Sequence, residues 1–85
     1  MDEPIIEIGY IKHFFSKINV AIIELTQPLS VGDHIIVKGP STDFNQKVES
    51  MQIDRKEIYR AESGQSVGLK LAQLAKEKDF VYKKL

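Results

Sequence analysis

Apolar and polar residues alternate along most of this chain, and clusters rich in Gly, Pro, Asp and Ser interrupt the alternation every few residues. That spacing is the pattern of an all-β domain. Ile6, Ile8 and Tyr10 alternate with Glu7 and Gly9, which predicts a half-buried first strand from Ile5 to Phe15. Gly9 inside it marks a bend, a bulge or a close backbone approach. Ser16 to Asn19 reads as a turn, and Val20 to Leu25, rich in β-branched residues, as a strand buried on both faces. Pro28 stops it, and Val31-Gly32-Asp33 turns into a third strand, His34 to Lys38. After the Gly39 to Asp43 loop, Phe44 to Asp54 forms the fourth strand. Its apolar phase slips from Phe44, Gln46 and Val48 to Met51 and Ile53, which predicts a β-bulge near Glu49-Ser50. Asp54 to Glu57 is a charged turn, Ile58 to Ala61 a short strand, and Glu62 to Gln65 another turn. Val67, Leu69 and Leu71 then alternate with Gly68 and Lys70. Ala72 to Lys78 favours helix by propensity but is too short to hold one unpacked, so it reads as a loop with room for one helical turn. Phe80 to Tyr82 closes the sheet. The expectation is an all-β, six- to seven-stranded antiparallel closed β-barrel, because closure hides strand edges that a small open sheet would expose.

Composition narrows the classes. The 85 residues suit a single domain over positions 1–85. Twelve basic residues balance twelve acidic ones, which excludes a uniformly basic nucleic-acid binder and an acidic disordered tail. With no Cys there is no disulfide, thiol nucleophile or thiolate metal site. The start, Met1-Asp2-Glu3-Pro4, lacks the basic and apolar regions of a secretory signal, and the longest apolar run is Val20 to Ile23. The default expectation is a cytoplasmic protein without a membrane span.

Several strings, in order, carry a resemblance: Gly9-Tyr10-Ile11, Val20 to Leu25, Leu29-Ser30-Val31-Gly32-Asp33-His34-Ile35, Val48 to Ile53, and Ala61-Glu62-Ser63-Gly64-Gln65-Ser66-Val67-Gly68-Leu69. Together they resemble the second, β-barrel domain of translational GTPases such as elongation factor Tu and initiation factor 2. They are most similar to small stand-alone elongation-factor-like proteins made of that barrel alone. Gly32, Gly64 and Gly68 stand where such a fold would need positive φ or close strand approach. The resemblance implies a translation-associated binding module whose partners are ribosomal RNA or tRNA. It does not carry GTP binding with it. The GTPase domain is not in this chain, and the nearest approach to a phosphate loop, Gly64 to Leu69, is one residue short with Leu69 in place of Lys.

No catalytic set stands out, so the expectation is a non-enzyme that needs no cofactor. His13 and His34 lie apart on outward strand positions without metal-ligand spacing. Asp33 fits a turn-stabilising role, and Glu24 fits either a strand-end residue with its head in water or one paired with a Lys. The candidate RNA-binding residues are Lys38, Lys47, Arg55, Lys56 and Arg60 as phosphate contacts and Phe44 as a base-stacking ring. The Gly39 to Asp43 and Asp54 to Glu57 loops would present them. Two alternatives stand beside this reading. One is a protein-interaction module using Phe14-Phe15, whose adjacent rings face opposite sides of a strand. The other is an accessory barrel to a separately encoded enzyme, resembling barrels appended to collagenase-like peptidases.

Overall fold

The computed structural model describes residues 4–85; the acidic start read at Met1 to Glu3 lies outside them. The chain forms ten strands: β1 (Ile5–Phe15), β2 (Val20–Leu25), β3 (Leu29–Ser30), β4 (His34–Gly39), β5 (Thr42–Lys47), β6 (Met51–Ile53), β7 (Lys56–Ile58), β8 (Arg60–Ala61), β9 (Ser66–Lys70) and β10 (Phe80–Lys84). Eight pair in the order β5-β4-β10-β1-β2-β9-β6-β7, and β3 pairs with β8 as a separate ribbon. Every pairing is antiparallel.

Period two decides what is buried. Ile8, Ile11, Ala21, Ile23, Leu25, Ile35, Val37, Val67, Leu69 and Val81 are sealed on the inner face. Buried Leu29, Phe44, Val48, Met51, Ala61, Leu71 and Ala75 complete the core. The strand at Val20 to Leu25 is not buried on both faces as its composition suggests. Ala21, Ile23 and Leu25 point inward, while Val20, Ile22 and Glu24 are half-buried on the outside.

The long first strand keeps its predicted bounds and bends twice. Its register shifts between Glu7 and Gly9 against β10, and between Ile11 and His13 against β2. Gly9 lies so close to β2 that a Cβ there would overlap the Glu24 carbonyl oxygen. Ala72 to Lys78 is a loop without helix.

The closed barrel of the elongation-factor type is not formed. Among the described residues β5 and β7 end the sheet and do not pair with each other. The cause is the segment read as one bulged strand, Phe44 to Asp54. It breaks at Val48 to Ser50 into β5, which ends the strand order on one side, and β6, which lies last but one on the other, next to β7. Val48 spends its backbone on the preceding turn instead of a strand partner. Its N–H donates to the Asp33 carbonyl (2.8 Å) and its carbonyl accepts from Gly32 N–H (2.8 Å). Tyr59 breaks the next predicted strand similarly, accepting from Val31 N–H at 2.9 Å. These two breaks, together with β3 at Leu29-Ser30, where the sequence suggests a connection, raise the strand count to ten from the six or seven expected.

One side chain spans part of the gap. The Gln46 amide donates to the Lys70 carbonyl (3.0 Å) and accepts from Ala72 N–H (2.6 Å), so a side-chain amide does what a peptide group would do in a ladder.

Gly32 and Gly64 adopt positive φ, as their turns require. Gly68 does not, and a Cβ there would meet nothing nearer than 3.7 Å. Neither structural reason anticipated for Gly68 applies.

Candidate functional site

The candidate residues do not assemble into one patch. Phe44 is 6% exposed and packs in the core, because it lies on the inward phase of β5 between Asp43 and Asn45. It has no face to stack on a base. Lys38 pairs across from Asp43 and Lys47 across from His34, so these two lysines sit at opposite ends of the β4–β5 hairpin. That is a separation of roughly 14 Å along the strand. Arg55 and Lys56 stand on the β6–β7 hairpin. Arg60, on β8, donates from Nε to Glu62 Oε2 at 2.6 Å, and that hydrogen-bonded carboxylate raises the guanidinium pKa above its ordinary value.

The carboxylates and histidines that chemistry would need are otherwise engaged. Glu24 Oε2 accepts from Ser66 Oγ at 2.5 Å and lies 3.8 Å from Lys12 Nζ, so of its two readings the lysine pair is the one formed. Asp33 closes its own turn, accepting from Ser30 N–H at 2.9 Å, and Lys83 Nζ reaches within 3.8 Å of the same oxygen. His13 Nδ1 faces Glu77 Oε2 at 3.3 Å, and His34 Nε2 faces Asn45 Oδ1 at 2.8 Å. Among the described residues no three His, Cys, Asp or Glu side chains gather closely enough to hold a metal ion. Phe14 packs against the core and Phe15 is exposed, as their adjacency implies.

Two open grooves indent the surface. One lies at the unpaired seam between β5 and β9 and is lined by Gln46, Lys47, Glu49, Ser50, Lys70 and Leu71. The other lies on the outer face of the sheet, over β2, β9 and β6. Val20 and Ile22 of β2 floor it beside Gly68, and Gln52, Asp54, Arg55 and Ser66 form its rim. Of the predicted residues, Lys47 belongs to the first groove and Arg55 to the second. Sequence reasoning missed the second groove. Its only signal was a glycine in the middle of an otherwise regular alternating strand.

No helix among the described residues is long and apolar enough to cross a membrane. No protein-family model matches the chain. A Methanocaldococcus jannaschii protein named as an uncharacterized protease is 44% identical over 78 residues, covering 91% of this chain and 19% of its own length. A Porphyromonas gingivalis protein named collagenase is 29% identical over 72 residues, covering 82% of this chain and 20% of its own. The chain thus spans about a fifth of the length of these curated relatives. Among solved structures, the C-terminal domain of a Geobacillus thermoleovorans protein described as a U32 peptidase superposes with a TM-score of 0.86 at 18% identity. That match covers 92% of this chain and 91% of the solved one. These relatives and this fold neighbour replace the expected likeness to translational GTPases. The ribosomal RNA, tRNA and ribonucleoprotein partners that the likeness implied lose their support with it.

Proposed function

We propose that this chain is a non-catalytic domain associated with a protease, of the kind that forms a fifth of the Methanocaldococcus relative. The observation that carries this reading is the 44% identity spread over 91% of the chain to a protein named as a protease. The local chemistry supports a supporting role over a catalytic one. The Ser66 hydroxyl donates to a carboxylate that is already ion-paired. The two histidines sit in separate polar pairs, so among the described residues no nucleophile, base and orienting group converge.

The test is a domain exchange. The matching segment is deleted from the Methanocaldococcus protein, and this chain is grafted in its place. Hydrolysis of a fluorescent casein by that protein should fall on deletion and return with the graft, while this chain alone should release no product. Hydrolysis unaffected by the deletion, failure of the graft to restore it, or turnover by this chain alone would each overturn the reading.

A further inference from the structure

Gly68 sits in one cross-strand row between Ile22 of β2 and Gln52 of β6. Glycine in a strand interior gives up stability, because its backbone loses more freedom on folding and it packs nothing. That loss is usually explained by a positive φ or a close backbone neighbour, and Gly68 has neither. What its missing side chain does provide is the outer-face groove, about 350 Å³, with Val20 and Ile22 as an apolar floor.

The rim carries a second, independent sign. Asp54 and Arg55 form the two-residue loop of the β6–β7 hairpin, with φ of 50° and 66°. Such a loop favours Asn-Gly, and a left-handed Arg is strained. The chain nevertheless keeps a long cation there. Arg55 takes part in none of the ion pairs formed among the described residues. Two positions where local stability is given up therefore border the same groove, as strained residues at binding sites do.

We infer that this groove binds an extended peptide through one aliphatic side chain, seated on Val20 and Ile22 over Gly68, and a neighbouring carboxylate, held by Arg55. Its openness suits a segment of chain lying along the surface, not an enclosed small molecule. Asp54 repels a carboxylate on its own side of the turn, which leaves the Arg55 side as the place for the acid. Gln52 supplies both a donor and an acceptor for the peptide backbone, and Ser66, whose proton goes to Glu24, supplies its hydroxyl oxygen as an acceptor. The choice of a peptide among ligands of this chemistry rests on the protease-associated reading above.

The experiment is an NMR titration of the isotopically labelled chain with acetyl-Gly-Leu-Asp-Gly-amide at millimolar concentrations. Saturable shifts are expected at the amides of Ile22, Gln52, Arg55 and Gly68. Replacing the peptide's Asp by Asn, or Arg55→Gln in the protein, should weaken binding about tenfold. Gly68→Val, whose Cβ meets only ordinary contacts at 3.7 Å and beyond, should abolish binding by filling the groove. If Gly68→Val lowers the melting temperature, Gly68→Ala serves instead, with weakened binding expected. Absence of shifts at these amides, or shifts that survive both Arg55→Gln and the Gly68 variant, would overturn the site. The domain exchange does not read this groove directly. A successful graft without peptide binding would sink the groove alone, and peptide binding with a failed graft would sink the protease association alone.

Discussion

Asp79 occupies the space that a side chain on Gly39 would need: a Cβ built there overlaps Asp79 Oδ1. The carboxylate is 2% exposed and pinned. Its Oδ2 accepts from Lys76 N–H at 2.9 Å, and the Asp79 backbone N–H returns a bond to the Lys76 carbonyl at 3.1 Å. The turn that starts β10 is thus wedged against the end of β4. Gly39→Ala should destabilise the fold by roughly 1–3 kcal/mol, the usual cost of overfilling a packed site. Asp79→Ala removes the obstruction as well as the hydrogen bond, so the double variant should lose less than the two singles summed. Urea unfolding of the four proteins measures this; strict additivity would mean that the two residues do not compete for space.

Gly9 presents a harder obstacle, because its neighbour is backbone. A Cβ there overlaps the Glu24 carbonyl oxygen, which is held in the central β1–β2 pairing. A backbone carbonyl cannot swing aside as a side chain can. Gly9→Ala should therefore cost more than Gly39→Ala, at or above about 3 kcal/mol. Comparing the two urea midpoints checks the order.

Gln46 tests how the sheet copes with its unpaired ends. Gln46→Leu keeps the bulk but leaves Ala72 N–H and the Lys70 carbonyl without this partner. Both bonds are exposed, so a loss of about 0.5–1.5 kcal/mol is expected, the ordinary net contribution of an intramolecular hydrogen bond. Hydrogen exchange should show the Ala72 amide exchanging faster while those of β1 and β2 do not change.

Arg55→Gly should raise stability by about 1 kcal/mol, since a left-handed φ of 66° suits glycine and strains arginine. Gly68→Ala should be neutral or stabilising by up to about 1 kcal/mol, because its Cβ meets only ordinary contacts at 3.7 Å and beyond. Thermal unfolding reads both. A fall in melting temperature for either variant would mean that the residue serves the fold and not the groove.

Much of the β architecture was legible along the chain. The bounds of β1 and β2, the loop at Ala72 to Lys78 and the inward phase of Val67, Leu69 and Leu71 all follow from period two and from turn chemistry. The break at Val48 to Ser50 was visible as a phase slip, but not as a break. A slip in apolar phase looks the same whether the strand bulges or leaves its neighbour, and only the bonds from Val48 to Gly32 and Asp33 separate the two. The candidate site was less legible. Phe44 lies on the inward phase of its own strand, yet its place beside a loop drew it outward in the reading. The basic residues are close in sequence, but strand pairing distributes them among different hairpins.

The order of side chains alone decided that this chain forms antiparallel strands with one apolar face, because alternation and turn residues are local properties that need no partner. It also decided that thiol chemistry is absent, since that depends on composition only. Tertiary structure decided where the sheet ends, which glycines are crowded and which leave a groove, and which charges meet. Each of these depends on distances between residues far apart in the chain, as with Gly39 and Asp79 or Gln46 and Ala72, and a linear pattern does not encode such distances.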